Sequence, residues 1–158
     1  MSDDFLIHPY FDPLLFCPNL AARTRQDALR EMVEAVSRAR GVRDAGLLLE
    51  MLERRETLGS TGIGKGVAIP HGRSLAVVSL RVLFGRSTEG VEWDAVDGKP
   101  VKLFFLIVAP PLEKKNEYLP LLGKIAELVK EKKNRDRLLK VEHFDQLRTV
   151  LEDASASV

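Results

Sequence analysis

The sequence predicts an α+β fold, a three-layer α/β/α arrangement in which a mixed parallel and antiparallel sheet is flanked by helices on both faces. Three observations lead there. Apolar residues recur at helical spacing up to Arg54. Strand-like runs then follow between Val67 and Ala109, and helical spacing returns after Pro110-Pro111. Helices, then strands, then helices bury the sheet in the middle. At 158 residues, 45% hydrophobic and 30% charged, the chain has the size and composition of one soluble domain spanning 1–158.

The bulk properties exclude several classes. A formal net charge of +1 supplies no field for nucleic acid or an anionic membrane. The longest apolar run, Leu103 to Ala109, is too short for membrane insertion. Asp3 and Asp4 stand where a signal peptide would be basic. A single cysteine, Cys17, excludes an internal disulfide and fits a reducing, cytoplasmic setting as a partly buried, inert thiol.

Residues 1–13 read as an irregular arm, because Pro9, Pro13 and Pro18 interrupt any long helix. Leu14 to Cys17 is a short strand candidate, and His8 reads as solvated. Thr24, three residues before Asp27, opens a helix as its N-cap. Ala28, Leu29, Met32, Val33 and Val36 form that helix's apolar face, and Gly41 stops it. A second helix is expected over 44–54, with Leu47, Leu48, Met51 and Leu52 inward. Strands follow at Val67–Pro70, Leu80–Arg86 and Lys102–Ala109, with Asp97-Gly98 as a turn before the last. The unbroken apolar run of the third marks a central strand buried on both faces. A helix over 116–132 comes next, with Pro120 tolerated in its first turn. The charged run from Lys130 to Arg137 reads as a solvated helix end. His143 precedes a last helix over 144–151, and 153–158 is expected to fray.

Chemistry concentrates between Arg55 and Arg73, a stretch holding five of the 11 glycines and one histidine, His71. Gly59 to Lys65 satisfies G-x-x-x-x-G-K, but Gly66 stands where a nucleotide loop needs Ser or Thr, and the run follows a helix and opens a strand. The three histidines and one cysteine lie too far apart for metal-ligand spacing. A third candidate is His71, held after a strand by Pro70, which reads either as a phosphoryl acceptor or as a structural hydrogen-bonder. A neutral imidazole is a good nucleophile near pH 7, and phosphoryl transfer to it needs mainly positioning and positive charge. Glycine-loop amides near Gly62, the Ser60 and Thr61 hydroxyls, and Arg55 and Arg73 are the available supports.

The run GSTGIGKGVAIPHGR resembles the signature of EIIA domains of the fructose/mannitol class of the phosphoenolpyruvate-dependent phosphotransferase system, a class that includes nitrogen-regulatory EIIA proteins. VEWDAVDGKPVKLFFLIVAP resembles that family's second block. The similarity extends from about Leu14 to the C-terminal helix. The resemblance implies a mixed sheet between helices and a phosphocarrier that requires no cofactor and no metal. By motif match, His71 accepts a phosphoryl group from HPr or a nitrogen-branch relative. It then passes the group to an EIIB domain, or serves a regulatory target as a phosphorylated state. Arg55 matches the family's active-site arginine. With no EIIB or membrane EIIC segment visible, a nitrogen-regulatory role is favoured over dedicated sugar uptake.

One position departs from the pattern. The family usually carries a second histidine at the start of the helix after Ala-Pro, and here Tyr118 takes that place. Tyr118 reads either as a neutral hydrogen-bond donor beside His71 or as a core aromatic. The latter fits an alternative function, a regulatory protein-binding module that keeps the fold without phosphotransfer.

Overall fold

A computed structural model of the chain describes residues 5–39 and 41–156. The secondary structure comprises β1 (Phe16–Cys17), α1 (Arg25–Arg38), α2 (Ala45–Leu58), β2 (Gly62–Gly64), β3 (Val67–Ala68), β4 (His71–Arg73), β5 (Arg81–Val91), β6 (Val101–Ala109), α3 (Tyr118–Lys130), α4 (Lys132–Leu138) and α5 (Phe144–Ala156).

β6 is central, as its continuous apolar run predicts. It pairs antiparallel with β5 on one side and parallel with β3 and β4 on the other. β1 pairs parallel with β5, and β2 pairs antiparallel with β3, so the sheet is mixed. Alternation along β6 divides the core in two. Phe104, Leu106 and Val108 pack with α1 and α2, while Leu103, Phe105, Ile107 and Ala109 pack with α3 and α5. The fold is therefore helices, sheet, helices.

The helix boundaries follow local chemistry. Thr24 caps α1 through its side chain on the Asp27 N–H, and Asp44 caps α2 on the Leu47 N–H. α1 ends at Arg38, before Gly41, with Ala39 already extended. α2 runs on past Arg54 to Leu58, because helix-tolerant residues continue until Gly59. This places Arg55 and Glu56 in its last turn. α3 lacks a capping side chain of its own at Glu117. Instead the Glu113 carboxylate accepts from the N–H groups of Glu117 and Tyr118.

Several expectations need correction. The glycine stretch is not one open loop but a β2–β3 hairpin, turning at Lys65 (φ 59°) and Gly66 (φ 79°). Pro70 interrupts strand pairing without ending it, since β4 resumes along the same side of β6. β5 is buried on both faces, Leu83 as well as Val82 and Phe84, because helices cover both sides. The basic run after Lys130 is a separate helix with a capping role. Asn134 donates to the Leu128 carbonyl and Arg135 to those of Val129 and Lys130, satisfying the end of α3. α5 extends past Asp153 to Ala156, with Asp153 paired to Arg137 at 2.9 Å. Tail residues 157–158 and arm residues 1–4 lie outside the described residues.

The rest of the arm is tied down. Short 3-10 turns form at His8–Tyr10 and Pro13–Leu15, and Ile7 and Phe11 are buried against the α3–α5 layer. The Tyr10 phenol is pushed well above its usual range, first by burial and then by the Glu117 carboxylate it bonds. His8 is half-buried near Glu152, and His143 is exposed. Burial also raises the Cys17 thiol, consistent with an unreactive side chain.

Packing predicts a sharp contrast in stability. Leu106→Ala, at a fully buried position in β6, should lower the unfolding free energy by about 2–5 kcal/mol. Leu119→Ala, 64% exposed on α3, should change it by less than about 0.5 kcal/mol. Urea unfolding of both variants checks this, and equal losses would contradict the layer assignment.

Candidate functional site

β4 is only three residues long, and its alternation creates the site. His71 and Arg73 project to the α3 face, where both meet Tyr118. Gly72, between them, faces α2. A Cβ there would run into the Met51 sulfur and methyl, so the glycine lets α2 sit close behind the histidine. Met51 thus fills the space that glycine leaves.

The imidazole of His71 is half-buried, and its Nδ1 lies 2.7 Å from the Ile69 carbonyl oxygen. A carbonyl can only accept, so Nδ1 carries the proton in the neutral ring. Nε2 is left with its lone pair free. The chain keeps its register along β6 across Pro70, whose carbonyl accepts the Ile107 N–H, and β4 is paired with Ile107, Val108 and Ala109.

Tyr118, at the first turn of α3, is 6% exposed, and its ring centroid is 6.5 Å from that of His71. The Arg73 guanidinium lies over the Tyr118 ring, 4.4 Å from the centroid, and also donates to the Pro110 carbonyl at 3.5 Å. Arg55, in the last turn of α2, donates to the Gly59 carbonyl at 3.0 Å. Burial raises the Tyr118 phenol above its ordinary value, while the charges of Arg73 and then Arg55 pull it down. Burial wins, so the phenol stays protonated at neutral pH. Direct contacts join His71, Tyr118 and Arg73, and the Arg55 charge is felt at the Tyr118 hydroxyl.

Ser60, Thr61 and Gly62 are arranged differently from expectation. Glu56 is buried, and its carboxylate accepts both the N–H and the hydroxyl of Thr61. The Thr61 hydroxyl is therefore engaged within the protein and is not a free donor. Ser60 Oγ accepts the Gly62 N–H at 3.0 Å, and the Lys65 N–H goes to Asp97 at 3.0 Å. These amides brace the hairpin and are not left bare. Gly62 is required by packing, since a Cβ there would approach the Ala95 backbone and Trp93 ring within 2.9 Å.

The sequence reading passed over three contributors. Glu56 holds the glycine hairpin, the Ile69 carbonyl fixes the histidine tautomer, and Glu113 anchors the start of α3 under Tyr118. Only Glu56 left a sequence signal, a carboxylate next to Arg55 on a helix face that proves to be buried. Among the described residues, no group of three or more His, Cys, Asp or Glu side chains is placed to hold a metal ion. Among them, too, no helix is long and apolar enough to cross a membrane.

Several exposed apolar side chains are close in sequence to the site residues. Leu58, Ile63, Leu75, Leu112 and Leu119 are all solvent-facing, and each lies within three residues of Arg55, Gly62, Arg73, Pro110 or Tyr118.

Sequence comparison places the chain in a known family. Residues 10–154 match the family described as phosphoenolpyruvate-dependent sugar phosphotransferase system, EIIA 2. The chain belongs to this EIIA family. The fructose-specific EIIABC component of Bacillus subtilis is 33% identical over 82% of this chain, which spans 20% of that protein's length. A nitrogen regulatory protein of Pseudomonas aeruginosa is 36% identical over 76% of this chain and 77% of its own. Among solved structures, nitrogen regulatory protein IIA-Ntr of Neisseria meningitidis superposes with a TM-score of 0.83 at 32% identity, covering 92% of this chain and 98% of that one. Enzyme IIA mannitol of Escherichia coli, solved with phosphorylated enzyme IIB, shares the fold, with a TM-score of 0.75 at 20% identity over 90% of this chain and 97% of that one. The layered EIIA fold and the mixed sheet predicted from the sequence are thus those of the family.

Removing the Glu56 carboxylate should loosen the hairpin that borders the histidine. Glu56→Ala leaves two Thr61 donors without their acceptor and should cost about 2–4 kcal/mol in unfolding free energy. Hydrogen exchange at the Thr61 amide should accelerate in step. Unchanged protection at Thr61 would mean that Glu56 does not hold the hairpin.

Proposed function

We propose that this EIIA protein is a cytoplasmic phosphocarrier that accepts a phosphoryl group on Nε2 of His71. The observation that carries the reading is the Nδ1 contact with the Ile69 carbonyl, which commits the ring to one nucleophilic nitrogen. The donor is the phosphohistidine of HPr or a nitrogen-branch relative. In the transfer, the Nε2 lone pair forms the new N–P bond while the donor's N–P bond breaks. That bond's electron pair returns to the donor imidazole. No proton needs to leave His71. The positive charge that develops on its ring is shared with Nδ1–H, which the Ile69 carbonyl stabilises.

Arg55 is assigned to the phosphoryl oxygens, with Ser60 and its remaining hydroxyl proton nearby in the chain. A loose transition state responds chiefly to such fixed positive charge and alignment. The phosphoryl group then passes to an EIIB domain or marks the protein for a regulatory target. EIIB is supported by the E. coli mannitol enzyme of the same fold, whose structure holds phosphorylated enzyme IIB. A nitrogen-regulatory role is supported by the Pseudomonas and Neisseria relatives. The exposed apolar residues close in sequence to the site suit protein partners in either case.

A second reading is a regulatory protein-binding module without transfer. It is favoured by one feature of the sequence, the neutral Tyr118 at the position where the resemblance implies a second histidine.

Incubation with phosphoenolpyruvate, enzyme I and HPr separates the two. The wild type should gain one phosphoryl group by intact mass, and His71→Ala none. An unlabelled wild type would leave the binding-module reading, and a labelled His71→Ala would move the acceptor elsewhere. Arg55→Ala should slow transfer by about tenfold or more, and an unchanged rate would remove Arg55 from the site.

A further inference from the structure

Tyr118, at the position where the resemblance implies a second histidine, touches Arg73. We propose that Tyr118 is a positioning residue whose ring face holds the Arg73 guanidinium beside His71. In this arrangement Arg73 supplies the positive charge that a second imidazolium would otherwise bring. This inference rests on the phosphocarrier reading of His71 and adds to it a role for the ring and for Arg73.

The geometry supports each link. His71 and Arg73 lie two residues apart on one face of β4, a spacing of about 7 Å along a strand. Tyr118 faces both, at 6.5 Å from the His71 centroid and 4.4 Å from the Arg73 guanidinium carbon. A planar guanidinium stacks on an aromatic face while its edge N–H groups stay free to bind phosphoryl oxygens. One such N–H already reaches the Pro110 carbonyl, so the head group is anchored at two points although the residue is exposed.

The surrounding charges leave Arg73 available. Among the described residues its contacts are the Pro110 carbonyl and the Tyr118 ring, and no carboxylate pairs with it. The nearby acids are engaged elsewhere. Glu113 accepts the N–H groups that open α3, Glu117 is bonded by Tyr10, and Glu56 is buried on Thr61. Tyr118 itself is fixed by the Glu113 contact to its own N–H at 3.1 Å and by burial of its ring. Its phenol is neutral and supplies no charge. The ring, not the hydroxyl, is the part placed to act on Arg73.

Phosphoryl transfer from phosphorylated HPr, measured by rapid quench, tests this on the full chain. Arg73→Ala should slow transfer by about tenfold or more. Tyr118→Leu should slow it by about two- to fivefold, the worth of one exposed cation–π contact. Tyr118→Phe keeps the ring and should match the wild type. In the Arg73→Ala background, Tyr118→Leu should add no further loss, because the ring then has nothing to hold. Arg73→Lys should recover only part of the rate, since an ammonium does not stack as a plane. Thermal melting of each variant separates folding losses from transfer losses. If Tyr118→Leu does not fold, Tyr118→Phe and Arg73→Ala decide between them. The proposal is overturned if Tyr118→Phe is slow, if Arg73→Ala equals the wild type, or if the two losses multiply in the double variant. A wild type that takes no phosphate at all instead overturns the phosphocarrier reading, and this inference falls with it.

Discussion

The parallel pairing of β4 with β6 is the constraint on which the site depends. β6 is held from both sides, and residues 71–73 run along it immediately after Pro70. Strand alternation then leaves no freedom in where side chains go. His71 and Arg73 must share the α3 face, and Gly72 must face α2. A one-residue slip would bury the imidazole against Met51 and remove the arginine from Tyr118. The Ile69 carbonyl completes the constraint, because it sits one residue before the proline and fixes which nitrogen of His71 carries the proton.

Around this strand, the protein spends its polar groups on bracing. Glu56 anchors Thr61, Ser60 and Asp97 take up hairpin amides, and Glu113 closes the start of α3. The Glu56 and Glu113 contacts hold the elements that carry Thr61 and Tyr118, while the Asp97 contact braces the hairpin turn beside the start of β6. The guanidinium in contact with Tyr118 is that of Arg73, carried by a strand. An arginine on a rigid element keeps its charge and direction at any physiological pH. A phosphoryl group, with its charge spread over three oxygens, is the kind of ligand such an arrangement suits.

The sequence made the architecture legible where one principle dominated. The unbroken apolar run of β6 announced a doubly covered strand, and Thr24 marked a helix start by capping chemistry. Periodicity alone did not separate β3 from β4, because both are very short and a proline lies between them. It did not foresee α4 either, since its residues are charged and its value lies in satisfying the carbonyls at the end of α3. In the site, His71, Arg55, Arg73 and Tyr118 were identifiable from motif and resemblance. What they do to one another was not. The carbonyl on Nδ1 is a backbone atom with no sequence signature, and the stacking of Arg73 on Tyr118 joins residues 45 positions apart. Thr61 and Gly62 looked like donors because the buried carboxylate and the close packing that claim them appear only in three dimensions.

The central claim is that the main chain presents one nitrogen of one histidine for phosphorylation. Long-range proton–nitrogen NMR of the phosphorylated, nitrogen-15-labelled protein tests it most directly, by showing which ring nitrogen of His71 bears phosphorus. The account predicts phosphorus on Nε2 and a retained proton on Nδ1. Phosphorus on Nδ1, or on any residue other than His71, would contradict it.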